Sequence, residues 1–222
     1  MPAKKNLPEH VAAQRKFLND ELEPKLAEAR AGQRQLYFGD AMHAVLGSYF
    51  GMVWSAVAIF LKAAAGRQRY SVLGAWNAAT NTLVHVTTTA TVNAALMLEL
   101  LAALAAAAVP DPAGPAGAKL PITLTLDNAK YQRCAAVEAR ARELGIELLF
   151  LPGYSPNLNL IERLWKFVKK TALRGSYHAD FASFQAAIDD CLSKIPTKHA
   201  AALKTLITHK FQTFDNVSFL AA

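Results

Sequence analysis

The spacing of apolar residues along the chain changes several times, and each change marks an element. Residues 7 to 31 are polar with scattered leucines, the pattern of a helix with a wet face. Its charges include Glu9, Arg15, Lys16, Asp20, Glu21 and Glu23. Pro24 predicts a kink or an interruption, because proline has no N–H to donate and its ring crowds the preceding turn. A short apolar run, QLYFGD, then leads from Gln35 to Asp40, and Met52 to Leu61 is another. Tyr70–Asn77 (YSVLGAWN) and Thr82–Thr88 (TLVHVTT) are rich in β-branched and aromatic residues, with Ala78–Asn81 between them as a hairpin turn. These runs predict three or four consecutive strands, mostly antiparallel, with Asp40 at the end of the first.

From Thr91 the period becomes helical. Leu96, Leu100, Leu101 and Leu104 share one face, and the helix is expected to end at Val109, before the loop PDPAGPAG. Lys119–Leu126 (KLPITLTL) reads as a strand closed by Asp127-Asn128. Lys130–Leu144 reads as a helix stopped by Gly145. Ile146–Leu151 is a further strand. Beyond a Pro/Gly turn come helices at about Asn159–Leu173 and Phe181–Ser193, then a tail, partly helical, past Pro196. No internal repeat is visible. A meander followed by helix–strand–helix–strand implies an α/β chain, with a mixed sheet and helices on its faces. Sites in such sheets form at the carboxyl ends of strands, where the topology switches. We divide the chain into a helical segment, 1–33, and one domain, 34–222.

Composition narrows the chemistry. The 222 residues are 53% hydrophobic, enough for a good-sized core without disulfides. The formal net charge of +7 suits a polyanionic partner, nucleic acid or an anionic membrane surface, although simple solubility charge reads the same way. Cys134 and Cys191 form no metal-ligand spacing, which argues against a zinc site and fits a reducing cytoplasm. The N-terminus lacks the apolar core of a signal peptide. Val92–Val109 is short for a membrane span and carries Glu99 in its middle, so it reads as a buried helix and no membrane is expected.

Three carboxylates stand at element ends. Asp40 and Asp127 close strands, and Glu162 lies in the first turn of a helix, with 34 residues between Asp127 and Glu162. Each has an ordinary alternative: a turn residue at Asp40, an Asx turn at Asp127, and a capping box with Asn159 at Glu162. Gathered at one sheet edge, they would repel one another unless hard divalent cations intervened. Mg²⁺ prefers such oxygen donors, and two ions can serve the attacking and leaving oxygens of one displacement. The helix of Glu162 has an apolar stripe (Ile161, Leu164, Trp165, Val168, Ala172) and a basic stripe (Arg163, Lys166, Lys170, Arg174), with Glu162 and Lys169 at the border. The basic stripe is a candidate DNA-binding face, joined by Arg67 and Arg69. A solvated basic face is the alternative.

The run Tyr154-Ser155-Pro156-Asn157-Leu158-Asn159-Leu160-Ile161-Glu162-Arg163-Leu164-Trp165 resembles the Glu motif of Asp-Asp-Glu transposases of the mariner-like superfamily, in their bacterial insertion-sequence branch. LTLDNAKYQRC (Leu124–Cys134) is similar to the second-acid motif, LYFGDAMH (Leu36–His43) to the first, and GRQRYSVLGAWN (Gly66–Asn77) to the strand pair between them. The resemblance spans residues 7 to 195. It implies an RNase H-like mixed five-stranded sheet flanked by helices. It makes Asp40, Asp127 and Glu162 the catalytic acids and the ligands of two Mg²⁺ or Mn²⁺ ions, with His43 and Asn128 near the site. The implied activity is DNA strand cleavage and strand transfer in cut-and-paste transposition. The implied partner is double-stranded DNA, both transposon ends and target, bound at the nucleoid in the cytoplasm, with a homodimer considered. Leu160 stands where such proteins often carry proline. Only 39 residues precede Asp40, and they read as one broken helix where transposases of this kind carry a helix-turn-helix region. Two other functions therefore stay open: a catalytically idle, DNA-binding or dimerising remnant that regulates a full-length relative, and an RNase H-like housekeeping nuclease.

Overall fold

The computed structural model describes residues 8–47, 49 and 66–212; the apolar run Met52–Leu61, expected as a strand, lies outside the described residues. The run that begins at Gln35 does not stop at Asp40. It continues as an 11-residue strand, β1 (Gln35–Val45). The reason is that Met42 and Ala44 are buried while His43 and Val45 are exposed, so the two-residue alternation persists. Asp40 is thus a mid-strand residue, a correction to its expected place at a strand end.

β1 pairs antiparallel with β2 (Arg69–Asn77), from Tyr37 opposite Asn77 to Val45 opposite Arg69. A hairpin carries β2 into β3 (Leu83–Thr88). In its turn the Asn77 side chain accepts the N–H groups of Ala79 (2.9 Å) and Thr80 (3.0 Å), and Asn81 takes a φ of 56°, which asparagine tolerates better than most residues. On its other side β1 runs parallel to β4 (Ile122–Leu126), and β4 runs parallel to β5 (Ile146–Phe150). The order is β3-β2-β1-β4-β5, a mixed five-stranded sheet as expected.

Helices cover both faces. α3 (Ala94–Ala106) and α4 (Ala135–Glu143) pack Leu100, Leu101, Leu104 and Val137 onto Tyr37, Leu73, Leu124 and Leu126. Burial of each such leucine contributes about 1.5–3 kcal/mol. α3 is capped by Asn93, which accepts the Leu96 N–H at 3.1 Å, and it ends three residues short of Val109. α4 begins at Ala135, later than Lys130, and stops at Gly145, whose φ is 68°.

The other face carries α1 (Pro8–Phe17), α2 (Glu23–Arg30), α5 (Ile161–Val168) and α6 (Phe181–Ser193). Leu22, Leu26, Ile161, Leu164, Phe184 and Ile188 bury Phe38, Met42, Val72 and Trp76 there. Pro24 does not break the N-terminal helix. A π turn over Leu18–Leu22 widens the backbone ahead of it, with the Glu23 N–H donating to the Leu18 carbonyl, and Pro24 takes the first turn of α2, where no donor is missed. A second π turn, Lys169–Leu173, follows α5. β2 approaches α5 so closely at Gly74 that a Cβ there would lie 2.8 Å from the Trp165 ring.

After α7 (Ala200–Leu206) the chain returns across this face as a strap, residues 207–212. Arg163 donates to the carbonyls of Thr208 and Lys210, both at 2.6 Å. Arg30 Nε donates to His209 Nδ1 (3.1 Å), so His209 carries its proton on Nε2 and gives it to the Ala78 carbonyl (2.8 Å). Asn157 donates to the Gln212 carbonyl at 2.8 Å, and Phe211 meets Phe38 with ring centroids 6.3 Å apart.

Glu147 on β5 ties three segments together, accepting from Lys25 (2.7 Å), Arg34 (2.9 Å) and Thr123 (2.7 Å). Burial pushes its pKa up, but the Lys25 and Thr123 hydrogen bonds and the Lys25 and Arg34 charges outweigh burial and leave it below the ordinary 4.5. A depressed folded-state pKa gives stability that is present above the unfolded value and lost as pH falls through the folded one. Glu147→Gln should therefore cost at most about 1 kcal/mol at neutral pH, since the group is partly exposed. Urea titrations should show that cost closing below pH 4.5; a pH-independent cost would assign it to packing instead.

No helix among the described residues is long and apolar enough to cross a membrane. Cys134 and Cys191 are both free thiols.

Candidate active site

The register of the parallel pair sets two of the acids side by side. Phe38 lies opposite Thr125. Two positions further, Asp40 comes level with Asp127, the residue after the last of β4. Side chains two apart share a strand face, so both acids emerge on the face covered by α5. Beyond Phe38, β1 no longer has β4 as a neighbour, which opens the sheet at that point. Glu162 is the second residue of α5. Asp40, Asp127 and Glu162 line one cavity of about 410 Å³, together with Asn128, Asn159 and the loop from Leu151 to Pro156.

The helix bearing Glu162 is located by two contacts. Asn159 is buried, and its Nδ2 donates 3.1 Å to the carbonyl of Gly39, the residue before Asp40. It does not cap α5, so the capping-box alternative for Glu162 is overturned: its side chain is spent on β1. Asn159 Oδ1 is buried with no protein partner. Trp165, one turn on from Ile161, rests on Gly74 of β2. Across the cavity, Asn128 donates to the Leu151 carbonyl (2.5 Å), holding the ends of β4 and β5 together, and Asp127 Oδ1 accepts the Ala129 N–H (3.2 Å). The Asx turn and the site position coexist at Asp127.

Burial pushes the Asp40 carboxyl up to about 7, against a hydrogen bond from the Ala41 N–H; Asp127 and Glu162 raise it further and Lys169 opposes them. Tyr131 is pushed up to about 12, mainly by burial, with Asp127 and Asp40 adding to it. Crowded negative charge of this kind is what a divalent cation relieves. The donors fit Mg²⁺ or Mn²⁺ in type, being all oxygen and facing one open cavity. Among the described residues, no three His, Cys, Asp or Glu side chains close around a point as a finished metal cage.

Residues 35–185 match the family of DDE superfamily endonucleases. The chain belongs to that family. No curated protein matches its sequence. Among solved structures it resembles the Mos1 transposase paired-end complex with left transposon end, at 18% identity and a TM-score of 0.61, over 93% of this chain and 65% of that one. It also resembles the mariner Mos1 paired end complex with Mg, at 15% identity and a TM-score of 0.58, over 95% and 66%. A third similar structure is the Mos1 mariner paired end complex with Mn, at 17% identity and 0.58, over 93% and 65%. These likenesses show the RNase H-like fold. The chain spans about 65% of the Mos1 transposase chain in the first of these structures.

The remaining candidate residues of this DDE endonuclease divide. Lys166, Lys170 and Arg174 are exposed, as are Arg67 and Arg69. Arg163 is a correction: its guanidinium is occupied by the strap carbonyls of Thr208 and Lys210. Arg174 leaves the stripe, because the π turn at Lys169–Leu173 shifts the helical spacing and Arg174 itself is extended. His43 is also corrected. Lying three residues after Asp40, it points from the opposite face of β1 and bonds Ser71 Oγ at 2.9 Å, and it does not line the cavity. Burial, then the charges of Arg69 and Lys169, depress its pKa. Asn128 does line the cavity. Tyr154 and Asn159 line the cavity as well, and Tyr131 and Lys169 lie within electrostatic reach of its acids; the sequence motifs mark none of the four as a site residue. Lys169 was findable, since it follows Glu162 by seven positions, two helical turns, and so shares its face.

Proposed function

We propose that this DDE endonuclease is the catalytic domain, residues 34–222, of a transposase of the mariner-like superfamily in its bacterial insertion-sequence branch. It cleaves DNA strands and joins the freed 3′ end to target DNA, the cut-and-paste route. One observation carries the reading: Asp40, Asp127 and Glu162, three acids distant in sequence, line one cavity beside the carboxyl ends of the parallel strands β4 and β5. In the reaction, water displaces the 3′ oxygen at phosphorus; the 3′-hydroxyl so formed then attacks a target phosphorus, losing its proton and displacing the target strand's own 3′ oxygen, which leaves as a hydroxyl.

Asp40, Asp127 and Glu162 would hold two Mg²⁺ or Mn²⁺ ions, which when bound activate the attacking oxygen and stabilise the leaving one. Asn159 keeps Glu162 against β1, and Asn128 keeps the two strand ends together. Lys169 places a positive charge close enough to offset that of Asp40.

The test is nicking of supercoiled plasmid DNA. Nicks should appear with Mn²⁺ or Mg²⁺ and disappear with EDTA. Absence of nicking, combined with DNA binding and no metal response, would leave the idle regulator as the reading. DNA should be held through Lys166, Lys170, Arg67 and Arg69. Affinity should fall by about 0.9 log units per log unit of salt for each phosphate neutralised. Lys166→Glu with Lys170→Glu should flatten that slope by one to two such increments in a filter-binding titration; an unchanged slope would move the DNA to another face.

A further inference from the structure

The loop from Leu151 to Pro156 forms one wall of the cavity, and one of its residues is unlike the rest. Tyr154 has a φ of 57°. Left-handed backbone is strained for a bulky residue, at a cost on the order of 1–3 kcal/mol, and it persists only where the surroundings over-determine it. Pro152 and Pro156 stand within the loop on either side of Tyr154, and the Ser155 hydroxyl donates back to the Gly153 carbonyl at 3.3 Å, which fixes that backbone. Strain at this position does not serve burial of the ring. Tyr154 is 58% exposed, one of the few large apolar side chains so placed among the described residues, yet it lines the same cavity as Asp40, Asp127 and Glu162. Its orientation is set from α1, where His10 meets the ring edge-on with centroids 5.9 Å apart.

We infer that Tyr154 is a stacking platform for a nucleobase of the strand whose phosphate enters the acid cavity. This rests on the proposed reading of that cavity. A phosphodiester held at the acids brings the bases of its own nucleotides to the cavity rim. An exposed, fixed aromatic ring there offers a flat apolar surface to any base, because every base has a π face. The contact positions the strand without reading its sequence, so it belongs to a substrate whose bases are unpaired or frayed next to the cut.

The variant to use is Tyr154→Gly. Glycine adopts a φ of 57° without strain, so the loop keeps its course while the ring is removed. The probe is a single-stranded oligonucleotide carrying 2-aminopurine at successive positions, titrated with Ca²⁺ as the supporting ion. Wild-type protein should quench the fluorophore at one or two adjacent positions. Tyr154→Gly should abolish that quenching and weaken binding about 5- to 150-fold, the range that corresponds to stacking of one base. Tyr154→Phe should restore both. Equal quenching and affinity in Tyr154→Gly, with a normal Mn²⁺-induced rise in Tm, would overturn the stacking role and leave the acid site standing. No Mn²⁺ response in the wild type would remove the reading of the cavity and this inference with it. If the glycine variant changed only self-association in sedimentation, the ring would belong to a contact between copies and the inference would be wrong.

Discussion

Asp127→Asn should leave the protein folded and lower metal-dependent DNA nicking by about 1000-fold or more, a loss of about 4 kcal/mol of transition-state stabilisation. Asparagine has nearly the same shape as aspartate and keeps a side-chain oxygen for the Ala129 N–H, so the turn after β4 survives. What goes is a negative oxygen facing the cavity. A thermal titration separates the two effects. In the wild type, Mn²⁺ at a hundredfold excess over its Kd should stabilise by about 2.7 kcal/mol if it binds only the folded state. In Asp127→Asn the rise should shrink while the metal-free Tm stays near its wild-type value. Equal nicking and equal metal response in the two proteins would sink the assignment of Asp127.

The second large effect concerns how the helix of Glu162 is seated. Trp165→Ala should destabilise the protein by about 3–5 kcal/mol, the usual cost of deleting a buried large aromatic. Trp165 is buried among Leu164, Val168 and the strand residues of one core cluster, and its indole N–H has no partner to lose. Gly74→Ala should cost about 1–3 kcal/mol by overpacking, since the new methyl would sit 2.8 Å from a ring that cannot bend. The two positions touch, so their effects should not add. In the double variant the methyl enters the space the ring vacates, and the total should fall short of the sum by 0.5 kcal/mol or more. Urea unfolding of the four proteins measures this; strict additivity would show that Gly74 and Trp165 do not share the contact. Nicking should fall in Gly74→Ala as well, because a wedge under Trp165 moves Glu162 with it.

The sheet and most helices were legible because their signals are local. β2, β3, β5 and α6 are bounded by turn or capping residues that lie within a few positions of them: Asn77–Asn81, Gly145, and Asp180 with Ser183. That the three acids share one cavity was legible from Asp127 at the end of β4 and from the motif around Glu162, although Asp40 proved to be mid-strand. What failed was decided at long range or by a change of period. Nothing near Arg163 announces carbonyls 45 and 47 positions away. Asn159 looks like a cap from its neighbours, and only the fold brings Gly39 to it. The stripe ending at Arg174 assumed 3.6 residues per turn through a stretch that widens. His43 was the avoidable error, because strand parity alone places it opposite Asp40 once β1 is seen to continue.

The strap of residues 207–212 gives the protein a timetable. A ribosome makes β1 early, yet Phe38 on that strand, two residues before the first acid, gets Phe211 only near the end of the described chain, and Arg30 waits 179 positions for His209. The helix of Glu162 likewise has its Arg163 guanidinium unclaimed until Thr208 and Lys210 emerge. Contacts of such sequence separation form slowly, since the intervening loop must close first. The part of the chain that carries the acids is therefore fastened by residues synthesised long after it. A nascent chain still short of them holds a partly clamped site.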